Sequence, residues 1–280
     1  MRGWSTSSAS KGWRWRRHRP LSTEPGGWHW PAGYDLILLD EVGSTMAEAR
    51  RRGPVLDRPT WIAARRQTAA VGRRGRKWIA PEGNLYATLV FAPDCSAAQA
   101  ALYSFVASYS LYATLLAYVD SPATIALKWP NDVLVGGGKV AGILLESDGT
   151  AGQVTRLAVG IGVNLNHAPD PAGLEPGALP PARVAGSGDP IDPLEFLAFL
   201  AEHFAVQARF FRTHGFGPLR GAWLDRAARL GDTITARLPG EDVTGRFETV
   251  DMNGCLVLQT ARGSRSIAAA DVFFQERRCP

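Results

Sequence analysis

Residues 128–144 read Lys-Trp-Pro-Asn-Asp-Val-Leu-Val-Gly-Gly-Gly-Lys-Val-Ala-Gly-Ile-Leu. The apolar runs at 133–135 and 140–145 flank three glycines, a pattern that predicts two strands joined by a tight turn. Pro130 favours an extended chain before it, so Asn131 and Asp132 would present an amide and a carboxylate at a strand end. The glycine turn would bring Lys139 back beside Asp132. Taken alone, the stretch also fits an ordinary hairpin with a surface lysine.

A second segment lies upstream at 71–78 and reads Val-Gly-Arg-Arg-Gly-Arg-Lys-Trp. Its glycines let backbone amides turn inward beside several cations, which predicts a loop that binds carboxylate or phosphate oxygens. A solvated basic loop or an RNA-contacting patch would have the same composition. Only four of the 31 basic residues are lysines, and three of these, Lys77, Lys128 and Lys139, fall in the two segments. Lysine is therefore expected where a compact ammonium group matters.

Short strands and a few helices surround these segments. Strands are predicted at 36–39, 61–64, 84–91, 125–129, 133–135, 140–145 and 157–163, and helices at 45–52, 97–119, 194–213 and 219–230, with a long irregular loop at 166–191. Thr45 as N-cap and Glu48 three residues later would form a capping box for the first helix. The order of elements indicates an α+β (α/β) fold with a central mixed sheet and packed helices. Beyond residue 230, short strands separated by glycine turns predict a small all-β barrel.

Composition and charge exclude several classes of protein. The chain has 280 residues, of which 45% are apolar and 20% charged, enough to build two globular domains. No apolar stretch approaches the roughly 18 to 20 residues of a membrane span. The net charge of +5 lies entirely within residues 1–33, so the remaining chain is neutral and gives no sign of polyanion binding.

Residues 1–33 have a composition of their own. They hold five of the nine tryptophans among Ser, Gly, Pro and Arg without helical or strand periodicity, which predicts a disordered basic extension, although an organelle transit peptide is an alternative. Three cysteines without paired spacing favour a reducing cytoplasm over a disulfide framework or a zinc site. The five histidines show no metal-ligand spacing.

Four segments, taken in order and spacing, resemble the biotin protein ligases, also called biotin–acetyl-CoA-carboxylase ligases. They are the arginine loop at 73–78, Lys-Trp-Pro-Asn-Asp at 128–132, Lys-Val-Ala-Gly-Ile-Leu-Leu-Glu at 139–146, and Gly-Ile-Gly-Val-Asn-Leu at 160–165. The resemblance implies a class II synthetase-like biotin/lipoate ligase catalytic domain at 34–229 and an SH3-like barrel at 230–277. Residues 1–33 are too short and aperiodic for the winged-helix domain of ligases that also act as repressors, so no specific DNA binding is expected.

The resemblance also implies an activity and its partners. The enzyme would use ATP to activate biotin as biotinoyl-5′-AMP, with Mg²⁺ accompanying the nucleotide, and would transfer biotin to a lysine of a biotin carboxyl carrier protein. A homodimer is compatible with the resemblance, and no membrane association is expected. Two alternatives remain at this point: a lipoate or octanoate ligase, and a basic RNA-binding protein that uses residues 1–19 and 65–77.

The resemblance assigns roles to individual residues. Arg73, Lys139 and Asp132 are the expected catalytic residues, the first two holding the biotin carboxylate and the α-phosphate, and Asp132 orienting or deprotonating the acceptor lysine. The biotin site would comprise Ser44, Thr45 and Gln67 at the ureido ring, together with Gly72, Arg73, Lys139, Gly142, Leu144, Gly160 and Gly162. The ATP site would comprise Arg74, Arg76, Trp78, Lys128, Asn131, Asp132 and Asn164, with Asn131 and Asp132 near the metal ion.

The arginine loop departs from the usual family pattern at its start. Ala70 and Val71 occupy the places where the family loop usually reads Gly-Arg. Val71 removes one positive charge, and the β-carbon of Ala70 is expected to crowd a tight turn. The sequence therefore predicts weaker retention of the reactive intermediate.

Overall fold

The computed structural model describes residues 30–173, 179–186 and 189–274. The predicted disordered extension at 1–33 falls outside these residues except for its last four. Within those four, the indole Nε1 of Trp30 donates a hydrogen bond to the carbonyl of Tyr34, and the ring packs against the main core. In the described ranges no helix combines the length and apolar character needed to cross a membrane.

A mixed eight-stranded sheet forms the centre of the larger domain, as predicted. Its strands are β1 (Asp35–Val42), β2 (Thr60–Gln67), β3 (Leu85–Phe91), β4 (Cys95–Ser96), β5 (Ile125–Lys128), β6 (Asp132–Val135), β7 (Gly138–Thr150) and β8 (Gln153–Val163). Their order is β1-β2-β3-β8-β7-β6-β5, with β4 paired to β8; β1 and β2 are parallel and the other pairs antiparallel. The glycine turn between β6 and β7 forms as the sequence predicted.

Helices cover both faces of this sheet. They are α1 (Thr45–Arg52), α2 (Ala97–Ala101), α3 (Tyr103–Leu115), α4 (Pro193–His214) and α5 (Phe216–Leu224). α3 and α4 pack together over the main core, where Trp61 and Phe204 meet edge to face. α1 covers the other face through a small cluster that contains Met46 and Ile62. This arrangement places the N-terminus of α1 beside the end of β2.

Two predicted helices are wrong in their extent. The helix predicted at 97–119 is interrupted at Leu102, whose amide bonds back three residues to Gln99, and α3 already ends at Leu115. The helix predicted at 219–230 ends at Leu224, because Arg226 and Ala228 instead form backbone hydrogen bonds with Leu127 at the edge of β5. An edge strand has free backbone groups, and pairing them outweighs extending the helix.

The predicted capping box of α1 is also absent. Ser44, not Thr45, precedes the first helical residue, and its side chain makes no capping hydrogen bond. Glu48 instead binds Arg51 and Arg52 one turn further along the helix. The hydroxyl of Thr45 is engaged by a side chain from the neighbouring strand, described below.

The C-terminal domain is a five-stranded antiparallel sheet. Its strands are β9 (Thr233–Leu238), β10 (Glu241–Val250), β11 (Leu256–Thr260), β12 (Gly263–Ile267) and β13 (Asp271–Phe274), in the order β12-β11-β10-β9-β13. The strand content and size fit the expected SH3-like domain, but in the part of the chain that the structure describes no ladder joins β12 to β13. The indole of Trp129 donates to the carbonyl of Gly254 at 2.9 Å and ties the two sheets together.

Candidate active site

A cavity of about 570 Å³ lies between the mixed sheet and the C-terminal domain. Its size is typical of sites that enclose a small organic ligand. All of the predicted site residues line it except Arg74: Ser44, Thr45, Gln67, Gly72, Arg73, Arg76, Trp78, Lys128, Asn131, Asp132, Lys139, Gly142, Leu144, Gly160, Gly162 and Asn164. These residues come from motifs that lie up to 120 positions apart in the chain, from Ser44 to Asn164. The fold brings them together in one cavity.

One end of the cavity carries a polar group built where α1 meets β2. The side-chain oxygen Oε1 of Gln67 accepts a hydrogen bond from the backbone amide of Thr45 at 2.7 Å and another from its hydroxyl at 3.1 Å. Because a backbone amide can only donate, this contact fixes which end of the Gln67 amide is the oxygen. The amide nitrogen Nε2 of Gln67 is left as a donor at the cavity end of the side chain.

Glycines form the floor in the middle of the cavity. Gly142 of β7 and Gly162 of β8 are direct partners in the sheet, and the ring of Trp78 lies over them. A β-carbon on Gly162 would lie 2.8 Å from Cε2 of this ring, and one on Gly142 would lie 3.1 Å from Cζ3. Gly160, two residues before Gly162, similarly has room only for the methyl group of Met46 above it. These glycines leave a flat slot on the sheet, and the ring of Trp78 fills it.

Cations dominate the other end of the cavity. Nζ of Lys139 lies 2.7 Å from one carboxylate oxygen of Asp132, and Nζ of Lys128 lies 3.6 Å from the other. Arg73 donates to the side-chain oxygen of Asn131 at 3.3 Å, and the Asn131 amide nitrogen donates to the carbonyl of Ile143 at 2.6 Å. Three cations around one carboxylate leave a net positive charge that suits an anionic ligand.

Burial and charge shift the ionisation of this cluster. Burial alone would raise the pKa of the Asp132 carboxyl, but the neighbouring Lys139 and Lys128 outweigh it and hold that pKa below its ordinary value. Burial lowers the pKa of Lys128, with Asp132 acting in the opposite direction. Asp132 is therefore a stable carboxylate and a weak proton acceptor, which favours orienting over deprotonating as its role.

The arginine loop closes on itself and on the C-terminal domain. Within the loop, the amide of Gly72 donates to the carbonyl of Arg76 at 2.7 Å. Arg74 and Arg76 both donate to the Asp271 carboxylate of β13, at 2.8 and 2.7 Å. Arg74 has a φ of 56°, a left-handed conformation that is costly for a residue with a β-carbon. Asp271 thus pairs with the loop at its most strained residue.

Ala70 does not disturb this loop. It is buried, and its carbonyl accepts the amide of Trp78 at 3.0 Å, closing the base of the loop. The left-handed positions are Arg74 and Gly75 instead. The expected crowding at Ala70 is therefore not found, while the effect of Ala70 and Val71 on retention of an intermediate stays a prediction.

Asn131 and Asp132 do not form a metal site by themselves. Asp132 is paired with lysines and Asn131 with Arg73, and the described residues contain no group of three or more His, Cys, Asp or Glu side chains that could hold a metal ion. Asn164, expected near adenine, is buried and uses its amide nitrogen to hold the carbonyl of Ala182 at 3.1 Å. Any magnesium here is best supplied together with the phosphates of a nucleotide.

Sequence reasoning missed several residues that line the cavity. Thr88 interrupts the apolar strand β3, and a lone polar residue in such a run is the signal that would have drawn attention to it. Met46 falls within the predicted helix at 45–52, and nothing in the sequence marks it as a cavity residue. Asp271 and the two following residues come from the far end of the chain, and no local pattern connects them with the arginine loop.

The chain matches known proteins in both sequence and fold. Residues 40–164 match the biotin/lipoate A/B protein ligase family, and residues 230–275 match the biotin protein ligase C terminal domain. The chain is 50% identical to the biotin–[acetyl-CoA-carboxylase] ligase of Paracoccus denitrificans over 85% of this chain and 99% of the relative. It is 30% identical to the enzyme of that name from Mycobacterium tuberculosis over 85% and 88%. The biotin protein ligase from Aquifex aeolicus, solved with biotin and ATP, superimposes with a TM-score of 0.71 at 27% identity, covering 85% of this chain and 97% of that one.

Proposed function

Because this chain belongs to the biotin protein ligase family, we propose that it activates biotin with ATP and transfers it to a lysine of a biotin carboxyl carrier domain. The observation that carries the proposal is the polarity of the cavity. Uncharged hydrogen-bonding groups, Thr45 and Gln67, lie at one end, Trp78 on its glycine floor lies in the middle, and a cation cluster lies at the other end. Biotin has the same order of parts: a cyclic urea, an apolar ring and chain, and a carboxylate.

The first reaction joins two anions, and the cation cluster suits that task. An oxygen of the biotin carboxylate attacks the α-phosphorus of ATP, the bond from that phosphorus to the bridging oxygen breaks, and pyrophosphate leaves. Arg73 and Lys139 would reduce the repulsion between the two anions and stabilise negative charge on the phosphorus oxygens. Asp132 holds the Lys139 ammonium at 2.7 Å, so the lysine is oriented before the substrates bind. Mg²⁺ would enter with ATP and neutralise the leaving pyrophosphate.

The second reaction transfers biotin to the carrier. The neutral amine of the carrier lysine attacks the carbonyl of the mixed anhydride, an amide bond forms, and AMP leaves. A lysine with an ordinary pKa of about 10.4 is only ~0.1% neutral near pH 7. Since the pKa of Asp132 is lowered, we propose that its carboxylate orients the incoming ammonium and that the proton is lost to solvent.

Two alternatives receive less support. A lipoate or octanoate ligase has little use for the fixed amide of Gln67, because an alkyl or disulfide ligand would cover this half-buried donor without pairing with it. An RNA-binding loop needs free arginines, whereas Arg74 and Arg76 are paired with Asp271. We further propose that the enzyme works in the cytoplasm, where ATP is made and where thiols such as Cys95 and Cys255 stay reduced.

Biotin-dependent exchange of pyrophosphate into ATP tests the proposal. Biotin, lipoate and octanoate are supplied separately to the wild-type protein, the Lys139→Ala variant and, as a control, the Arg265→Ala variant, whose exposed ion pair with Glu241 lies in the C-terminal sheet. We expect exchange with biotin only, a fall of about 100-fold or more in Lys139→Ala, and no change in Arg265→Ala. Exchange with lipoate or octanoate instead of biotin would assign the chain to the other branch of the family.

A further inference from the structure

Thr88 is a buried polar residue in the cavity with no role in the reaction described so far. It lies in the middle of β3, is fully buried, and lines the cavity. Its hydroxyl oxygen lies 2.9 Å from the hydroxyl oxygen of Thr45. The two threonines and Gln67 therefore form a continuous chain of hydrogen bonds from the sheet interior to the polar end of the cavity.

The direction of this chain follows from the number of protons. The amide of Thr45 can only donate, so the atom of Gln67 that it meets must be the oxygen Oε1. The single hydroxyl proton of Thr45 then goes to the same oxygen, 3.1 Å away. With that proton committed, Thr45 can only accept from Thr88. Each hydroxyl thus donates in the same direction, Thr88 to Thr45 and Thr45 to Gln67.

We propose that Thr88 is a positioning residue that holds the Thr45 hydroxyl in this alignment by donating to it, and thereby supports the preference of the site for a cyclic urea. The proposal rests on the assignment of Thr45 and Gln67 to the biotin ring made above. In the aligned state Gln67 offers N–H donors, while the two hydroxyl oxygens keep lone pairs free. A cyclic urea has one carbonyl acceptor and two N–H donors, which complements this set. A lipoyl or octanoyl tail complements none of it.

The neighbourhood of Thr88 leaves its hydroxyl open to this role. Gly160 is its direct partner across the β3–β8 ladder, and a β-carbon there would lie 3.6 Å from the Thr88 hydroxyl oxygen. The absence of a side chain on Gly160 leaves room for the methyl group of Met46, which packs next to the hydrogen-bond chain. Valine has nearly the same shape as threonine and favours strands, so Thr88→Val removes the hydroxyl while retaining the packing.

Steady-state pyrophosphate exchange with five variants tests the inference. One hydrogen bond contributes about 0.5–1.5 kcal/mol, so we expect Thr88→Val to raise the KM for biotin about two- to tenfold at unchanged kcat and unchanged KM for ATP. Thr88→Ser keeps the hydroxyl and should restore the wild-type KM. Thr60→Val replaces another buried threonine of the same sheet, outside the cavity, and should leave the KM unchanged. Adding Thr88→Val to Thr45→Val should have little further effect, because the chain is already broken.

The outcomes separate this inference from the proposed function. If the wild type shows biotin-dependent exchange and Thr88→Val matches it in biotin KM, the inference is overturned while the function stands. Equal losses in Thr88→Ser and Thr88→Val, or full additivity with Thr45→Val, would also overturn it by indicating a packing effect. If folded wild-type protein gives no exchange with biotin, the proposed function itself fails.

Discussion

The Asp271 carboxylate lies 2.8 Å from Nη1 of Arg74, and the two residues are 197 positions apart in the chain. Arg76 donates to the same carboxylate oxygen at 2.7 Å, and Arg73 lies 4.0 Å from the other oxygen. A single acidic residue of the C-terminal domain therefore offsets part of the positive charge of the arginine loop. The small domain takes part in building the cavity, because its strand β13 also lines it.

We expect Asp271→Ala to raise the KM for ATP about tenfold. Without this carboxylate the three guanidinium groups would repel one another, and Arg74 would lose the contact that holds its left-handed conformation. Part of the binding free energy of ATP would then be used to order the loop. Pyrophosphate exchange at varied ATP concentration measures the effect, with the biotin KM expected to change much less.

Asp242→Ala is the matched control for Asp271→Ala. Asp242 also lies in the C-terminal sheet and pairs with an arginine, Arg237, but it is exposed and outside the cavity. Its removal should leave both KM values unchanged. A lower KM for ATP in Asp271→Ala would mean that Asp271 competes with the phosphates and does not order the loop.

The sequence predicts the contacts of Lys139 in the cavity but not those of Asp271. The proximity of Lys139 to Asp132 was predicted, because a glycine turn joins their two adjacent strands. In the ladder Lys139 pairs with Leu134, and its side chain reaches Asp132 diagonally. Most of the mixed sheet was predicted for the same reason: apolar runs and turn residues are local signals. The contact of Asp271 with Arg74 depends on how two domains dock, and no local pattern encodes that.

Hydrogen-bonding competition explains the features that sequence reasoning placed wrongly. Threonine is a residue type that favours helix N-caps, yet the hydroxyl of Thr45 donates to Gln67 on the neighbouring strand. The helix predicted through residue 230 ends early because Ala228 pairs with Leu127. In both cases a tertiary partner replaced the local one that propensity favours.

We expect Gly162→Ala to raise the KM for biotin at least tenfold. The new β-carbon would lie 2.8 to 2.9 Å from three atoms of the Trp78 ring, closer than such contacts occur, so the ring must move out of the slot. Because the ring covers the floor formed with Gly142, its displacement opens the slot to solvent. Exchange kinetics at varied biotin concentration measure the change.

Gly221→Ala provides the control for Gly162→Ala. Gly221 lies inside α5, and nothing lies within 4 Å of an added β-carbon. Alanine at a helical position should stabilise the protein by about 0.5–1 kcal/mol and leave the biotin KM unchanged. An unchanged KM in Gly162→Ala as well would contradict the assignment of this slot to biotin.

The cluster around Asp132 predicts a specific pH dependence of stability. Lys139 and Lys128 hold the pKa of Asp132 below its ordinary value, so its charge stabilises the folded state at any pH above that ordinary value, about 3.9. The contribution decreases as the pH falls through the lowered native pKa. We expect Asp132→Asn to reduce the free energy of unfolding by about 3 kcal/mol at pH 7, because it leaves the buried Lys128 unpaired. The deficit relative to wild type should shrink as the pH falls below the ordinary pKa, because the unfolded wild-type chain then takes up a proton that the native carboxylate resists.

Urea unfolding at pH 7 and pH 3 measures the stability deficit and its change with pH, with Asp57→Asn as the control. Asp57 is exposed, so its variant should track the wild type at both pH values. A deficit in Asp132→Asn that stays constant between the two pH values would locate the effect in packing, not in the carboxylate charge. Loss of pyrophosphate exchange in Asp132→Asn at a pH where the protein remains folded would then show that Asp132 also orients Lys139 for the reaction, since removing the ion pair frees the ammonium that the first step requires.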